Sequence, residues 1–251
     1  MRRVFLMLLL SVVSVALRAQ SADELWMQGN EAYANGDFRK AVECYDAVVK
    51  LGRVNEKVYY NLGNAYFKEE NIAQSILFYK RALRLSPNDN DIRFNLTVVN
   101  GYVRDRVEVM PEFFLLTFIR SLRIALSSNG WALVSLALLF TGFGSLLLFT
   151  HMEALNIRKS GFYGALVCAV LFSVSLCFSL AQRKDIVNSN EAVIVSSSVA
   201  VKSSPDNTGK DLFILHGGTV VKMVNRIGDW REIMISNGNK GWVDIHSIEV
   251  I

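Results

Sequence analysis

Two stretches of this 251-residue chain carry no charged side chain, and they constrain everything around them. Residues 131–150 (WALVSLALLFTGFGSLLLFT) and 162–181 (FYGALVCAVLFSVSLCFSLA) are each about 20 residues long, and at ~1.5 Å rise per residue a helix of that length matches the ~30 Å core of a bilayer. A chain of this size has no core wide enough to hide two such helices. Residues 151–161 (HMEALNIRKSG) hold Arg158 and Lys159 and are too few to fold separately. The pattern predicts a transmembrane hairpin with a cytoplasmic loop at 151–161. The domains on either side of the hairpin in sequence then share one side of the membrane.

The composition reflects that hairpin. Hydrophobic residues make up 51% of the chain, and mean hydropathy is +0.27. The net charge of +4 would suit a nucleic-acid partner only if it were concentrated on one folded domain. Instead the surplus sits in the first 19 residues (three Arg) and beside the apolar stretches (Arg120, Arg123, Arg158, Lys159). Residues 183–251 carry eight basic and eight acidic groups and balance to zero. Nucleic-acid binding is excluded on this distribution. The three cysteines, Cys44, Cys168 and Cys177, show no disulfide framework. The three histidines, His151, His216 and His246, lack metal-ligand spacing and read as ordinary polar surface.

The start, MRRVFLMLLLSVVSVALRAQS, has two arginines, an apolar run over residues 4–17 and then small residues. That is the grammar of a secretory signal peptide over residues 1–19, with cleavage between Ala19 and Gln20. It predicts export of residues 20–110, and the hairpin returns the C-terminal residues to the same compartment. Positive charge does not set this orientation, because Arg120, Arg123, Arg183 and Lys184 on the outer flanks outnumber Arg158 and Lys159 in the loop.

From Ala22 the sequence repeats. Gly29 and Gly63, Phe38 and Ile72, and Tyr45 and Tyr79 are each 34 residues apart, giving units 22–55 and 56–89. Tyr59, Gly63 and Tyr66 share one face of a first helix, and Ser75, Tyr79 and Ala82 share one face of a second. Gly63 lets the partner helix approach closely, and Pro87 comes after the second helix. Asn95-Leu96 repeats Asn61-Leu62, so residues 90–103 read as a further first helix capping the stack. In unit one Val48 replaces a small residue and Arg53 stands where unit two has its proline.

These units resemble the tetratricopeptide repeat (TPR), a pair of antiparallel helices. Such repeats take extended peptides in a groove built by their first helices. The matching face carries Trp26, Asn30 and Tyr33, then Tyr60, Asn64 and Phe67, with Lys68 beside them. Each trio runs i, i+4, i+7, and an asparagine amide suits a peptide backbone. The alternative is that these aromatics are packing.

Between repeat and membrane, residues 111–130 open with Pro111 and read EFFLLTFIRSLRIALSSNG, an amphipathic segment suited to the membrane interface. In the spans, Ala137 and Thr141, Gly164 and Cys168, and Ala165 and Ala169 place small residues four apart. No ionisable group lies inside either span, which argues for anchoring over transport.

After Arg183-Lys184 the pattern becomes short alternating runs bounded by Pro205-Asp206, Gly217-Gly218, Gly228-Asp229 and Asn237-Gly238, which predicts a small antiparallel barrel. The order of VKSSP, LHGGTVVKMV, GDWREI and GNKGWV over residues 187–251 resembles the bacterial SH3-like domain. That resemblance implies a protein-binding or cell-wall-binding surface at Trp230 and Trp242.

The expected architecture is therefore a multi-domain membrane protein: an all-α TPR repeat over 20–110, a two-helix transmembrane hairpin, and a small all-β SH3-like barrel. Taken in this order, the modules resemble the TPR proteins of the bacterial aerotolerance (Bat) operon, BatE type. The resemblance implies an inner-membrane scaffold with both end domains periplasmic. It also implies partners among von Willebrand A-domain membrane proteins, with a possible link to a MoxR-type ATPase system, and peptidoglycan as a further ligand. No Ser/His/Asp or Cys/His constellation, paired catalytic carboxylates or phosphate loop is present, so the expectation is a non-enzyme without cofactor or metal. The rival from another class is a cell-wall sensor or the targeting subunit of an envelope-remodelling enzyme.

Overall fold

The computed structural model describes residues 22–105 and 113–251. The expected signal peptide and Pro111 lie outside the described residues. The chain divides into two compact units, one joining the N-terminal residues to residues 189–251, the other comprising residues 111–188.

In the first unit, residues 22–34 are helical (α1), followed by α2 (Phe38–Lys50), α3 (Glu56–Lys68), α4 (Ile72–Leu85) and α5 (Asn90–Asn100). The 34-residue period sets the helix starts. Asp37 and Asn71 cap α2 and α4 through Lys40 N and Gln74 N, and Asn55 and Asp89 cap α3 and α5 through Val58 N and Ile92 N. Helix ends repeat less faithfully. Gly52, at φ +75°, closes α2 with its N–H on Val49 O and Arg53 N on Val48 O, so a Schellman turn does there what Pro87 does after α4. Gly36, at φ +80°, closes α1 likewise, but its counterpart after α3 is Glu70, at φ +59°.

The helical core holds Tyr45, Leu62, Ile76, Leu77, Tyr79 and Ile92, all at most 2% exposed. A Cβ on Gly63 would stand 2.8 Å from the Tyr79 ring, and one on Gly29 2.6 Å from the Tyr45 ring. The expected close approach is therefore made by tyrosines of the second helices. Val48 is buried.

The same unit contains β1 (Glu191–Ile194), β2 (Ser198–Lys202), β3 (Asp211–His216), β4 (Val220–Ile227), β5 (Trp230–Met234), β6 (Lys240–Asp244) and β7 (Ile248–Val250). They form one antiparallel sheet in the order β3-β2-β6-β5-β4-β1-β7. Ala192, Ile194, Val201, Leu215, Val221, Ile233, Val243 and Ile248, drawn from every strand, bury into one cluster, so the sheet curls around its own core. Gly241 lets β2 come close, since a Cβ there would stand 2.5 Å from Val201 Cγ1 and 2.9 Å from Lys202 O.

Repeat and sheet are packed together, which no local pattern foretold. Val193 and Ile251 bury into the helical core. Arg81 pairs with Glu249 at 3.0 Å and donates to Val250 O, Gln74 donates to Glu249, and Lys80 pairs with Glu191 at 3.5 Å. Asp105, just past α5, accepts from His216 N (2.6 Å) and Thr219 Oγ1 (2.7 Å), with His216 Nδ1 at 2.7 Å. His216 is thus not the unremarkable surface group expected. Its partner lies 111 residues away, beyond any sequence pattern.

The second unit holds α6 (Phe114–Ile124), α7 (Ser128–His151) and α8 (Leu155–Val187). The connection between α7 and α8 is only residues 152–154, shorter than the expected 151–161, because Arg158 and Lys159 continue the helix as an added turn. Both helices are long and apolar enough to cross a membrane. Their most apolar windows are only 6% and 17% buried, which sets them apart from core helices of a soluble protein. What α7 and α8 bury is small or polar. Ser135 Oγ meets Ser175 Oγ at 2.6 Å, and Ser128 and Ser179 each donate to the other's carbonyl. Gly161 packs against Phe149 N and Ser145 O, where a Cβ would come within 2.7 Å of each. Gly142 faces Cys168 and Gly164 faces Ser145, whereas Ala137 and Thr141 are exposed and take no part in the contact. α6 buries no residue. It is tied at its end by Trp131 Nε1 and Gln182 Nε2 donating to Arg123 O, and by an Arg123–Asp185 pair at 2.7 Å.

Candidate functional site

The repeat's polar residues form two copies of one clip. Asn30 Oδ1 accepts from Tyr45 OH (2.8 Å) and Asn61 Nδ2 (3.1 Å). One period on, Asn64 Oδ1 accepts from Tyr79 OH (2.5 Å) and Asn95 Nδ2 (3.0 Å), and Asn95 also donates to Tyr60 OH at 2.9 Å. Burial, then the neighbouring Tyr60, pushes the Tyr79 phenol well above its ordinary range, so it stays a donor. The Oδ1 atoms of Asn30 and Asn64 are therefore filled from within the repeat and hold successive helices in register. The signal was in the sequence: Asn30/Asn64, Tyr45/Tyr79 and Asn61/Asn95 share the 34-residue period.

Beside the second clip lies a groove of about 200 Å³. It brings together Tyr33, Asn64, Phe67 and Lys68 of the expected set with Tyr79 and Asn95, and α5 adds Val98 and Val99. Trp26 and Asn30 are elsewhere, and Tyr60 stands behind the groove wall, bonded to Asn95. Trp26 packs on Tyr45 with ring centroids 5.4 Å apart, and it lines a separate hollow with Ala22, Val48, Arg53 and Val58. Tyr60 packs on Tyr79. The α5 contribution goes beyond the capping role expected of residues 90–103. Phe94 (68% exposed), Val98 (39%) and Tyr102 (64%) recur every fourth residue and present an apolar stripe beside the groove, and that spacing is the signal that could have found it.

On the sheet, Ile233, Gly241 and Val243 face the core, so the pleat turns Trp230 and Trp242 outward together. Trp230 stands opposite Asp244 and Trp242 opposite Glu232, which makes the two rings diagonal neighbours on one face. Both are half-buried. Among the described residues no group of three or more His, Cys, Asp or Glu is arranged to hold a metal.

Residues 27–90 match the tetratricopeptide repeat family. Over 66 residues the chain is 32% identical to the peroxisomal targeting signal receptor of Candida glabrata, a match covering 26% of this chain and 11% of that protein. Helix pairs, tyrosine-on-glycine packing and period agree with the match, and residues 27–90 are a tetratricopeptide repeat, a scaffold for contact between proteins.

Proposed function

We propose that this chain is a non-enzymatic, membrane-anchored adaptor whose groove between α1, α3 and α5 takes an extended segment of a partner protein. The observation that carries this is the groove itself: aromatic walls from Tyr33 and Phe67, a cation at its rim in Lys68, and the exposed Phe94–Val98–Tyr102 stripe alongside. Exposed aromatic and aliphatic groups aligned on one face suit a docked segment. The large apolar side chains that α7 and α8 turn outward support anchoring in a bilayer. Resemblance to the BatE-type proteins supports a periplasmic location for repeat and sheet, an aerotolerance or envelope-stress complex, and von Willebrand A-domain membrane proteins with a MoxR-type ATPase system as partners.

The test is capture in mild detergent by the full chain and by Val98→Asp and Lys68→Glu, both at exposed positions. Asn64 and Tyr60 are poor choices because their loss breaks the clip. The expected result is A-domain proteins recovered by the parent and lost with Val98→Asp; equal recovery by both variants removes the groove from the reading. A second reading, a cell-wall sensor or targeting subunit, draws on the paired outward faces of Trp230 and Trp242. Retention on purified peptidoglycan that disappears with Trp242→Ala would favour it.

A further inference from the structure

We propose that the hairpin of β4 and β5 is a second binding site, separate from the groove, in which Arg226 and Arg231 together hold the carboxylates of an acidic segment in a partner protein. The two arginines are direct partners in the antiparallel register. Like charges in that position work against strand pairing, and here nothing pulls them apart. Arg226 Nε and Arg231 Nη1 both donate to Gly228 O, at 3.3 and 3.4 Å, so the two nitrogens are no further apart than those bonds laid end to end. Arg231 Nη1 also donates to Trp230 O at 3.2 Å. The turn enforces this convergence: Gly228 sits at φ +54° in the first of two turn positions, as a type II′ hairpin demands, and aims its carbonyl between the guanidinium groups.

Among the described residues neither arginine makes an ion pair. Burial and then the adjacent Arg226 pull the Arg231 guanidinium below its ordinary value, with Asp229 opposing them. A fixed pair of planar forks is suited to carboxylates, which accept two parallel hydrogen bonds from each. Residues 183–251 balance to zero only with this pair included, and without it six basic groups face eight acidic ones, so the attraction for an acidic segment is local to the two arginines. A broad polyanion such as an anionic bilayer needs a wide positive field, which residues 183–251, with zero net charge, do not supply.

The experiment uses the full chain in phosphatidylcholine nanodiscs and a labelled peptide of alternating Glu and Ala, read by fluorescence anisotropy. The expected result is saturable binding that weakens with salt and vanishes for the Gln counterpart. It should fall at least about tenfold in both Arg226→Gln and Arg231→Gln. The thermal midpoint of Arg226→Gln should stay level or rise, because a repulsion is relieved. No saturable binding, equal affinity in the double variant, or loss confined to Lys68→Glu (which assigns the peptide to the groove) would each overturn the proposal. So would arginine-dependent capture of phosphatidylglycerol vesicles in place of the peptide.

Discussion

Glu70 shows how a repeat can keep its geometry while losing the residue that suits it. Positions 36 and 70 do the same work, turning the chain between a first and a second helix with φ near +60° to +80°. Glycine adopts that conformation freely, whereas a residue with a Cβ is strained there by roughly 1–2 kcal/mol. Glu70 is exposed, and its own backbone N–H bonds Phe67 O while Asn71 N bonds Tyr66 O, so the turn is held by the backbone. Glu70→Gly is expected to stabilise the repeat by about 1 kcal/mol, less whatever freedom glycine adds to the unfolded chain. Denaturant unfolding followed by helical circular dichroism checks it, and a lower midpoint would contradict the strain argument. Gly52 is the converse case: it is legible as a turn residue, but its role as substitute for the proline of the other unit is visible only from the bonds it makes.

At the scale of elements, the sheet depends on the approach of β2 to β6. Gly241 has no room for a methyl group against Val201 and the Lys202 carbonyl, and a backbone oxygen cannot step aside. Gly241→Ala is expected to cost about 1–3 kcal/mol and to lower the unfolding midpoint of the sheet, read by the fluorescence of Trp230 and Trp242. Trp242→Phe, on the outward face, should change that midpoint little. This separates two neighbouring residues that the sequence treats as one motif: the glycine is packing, and the tryptophan is surface. Among the helices, the 34-residue period marked the core tyrosines and the glycines they pack on in advance. The α7–α8 connection is shorter than its composition suggests, because Arg158 and Lys159 look like loop residues but are good helix formers and simply extend α8.

For the whole molecule, the decisive contact is the one between the repeat and the sheet. Burial alone would raise the Asp105 carboxyl, but the hydrogen bonds from His216 N, Thr219 and the His216 ring outweigh it and hold the carboxyl below its usual range. A carboxylate whose folded value lies below its unfolded value stabilises the fold above pH ~4 and loses that contribution as pH falls through the lower, folded value. Asp105→Asn is expected to cost about 1–3 kcal/mol near neutral pH, and to flatten the pH dependence of stability below pH ~4. Thermal unfolding of parent and variant across that range reads both, and parallel curves would show that the joint does not titrate through Asp105. By itself the sequence determined the local structure: the helical period and its caps, the alternating strands, and two helices apolar enough for a bilayer. Each of these arises from side chains spaced within a few turns or strands. Tertiary structure alone decided that Asp105 is held by His216 and Thr219, and that the repeat and the sheet form one body. Those outcomes depend on register and on contacts spanning up to 175 residues, where no local spacing records which side chains meet.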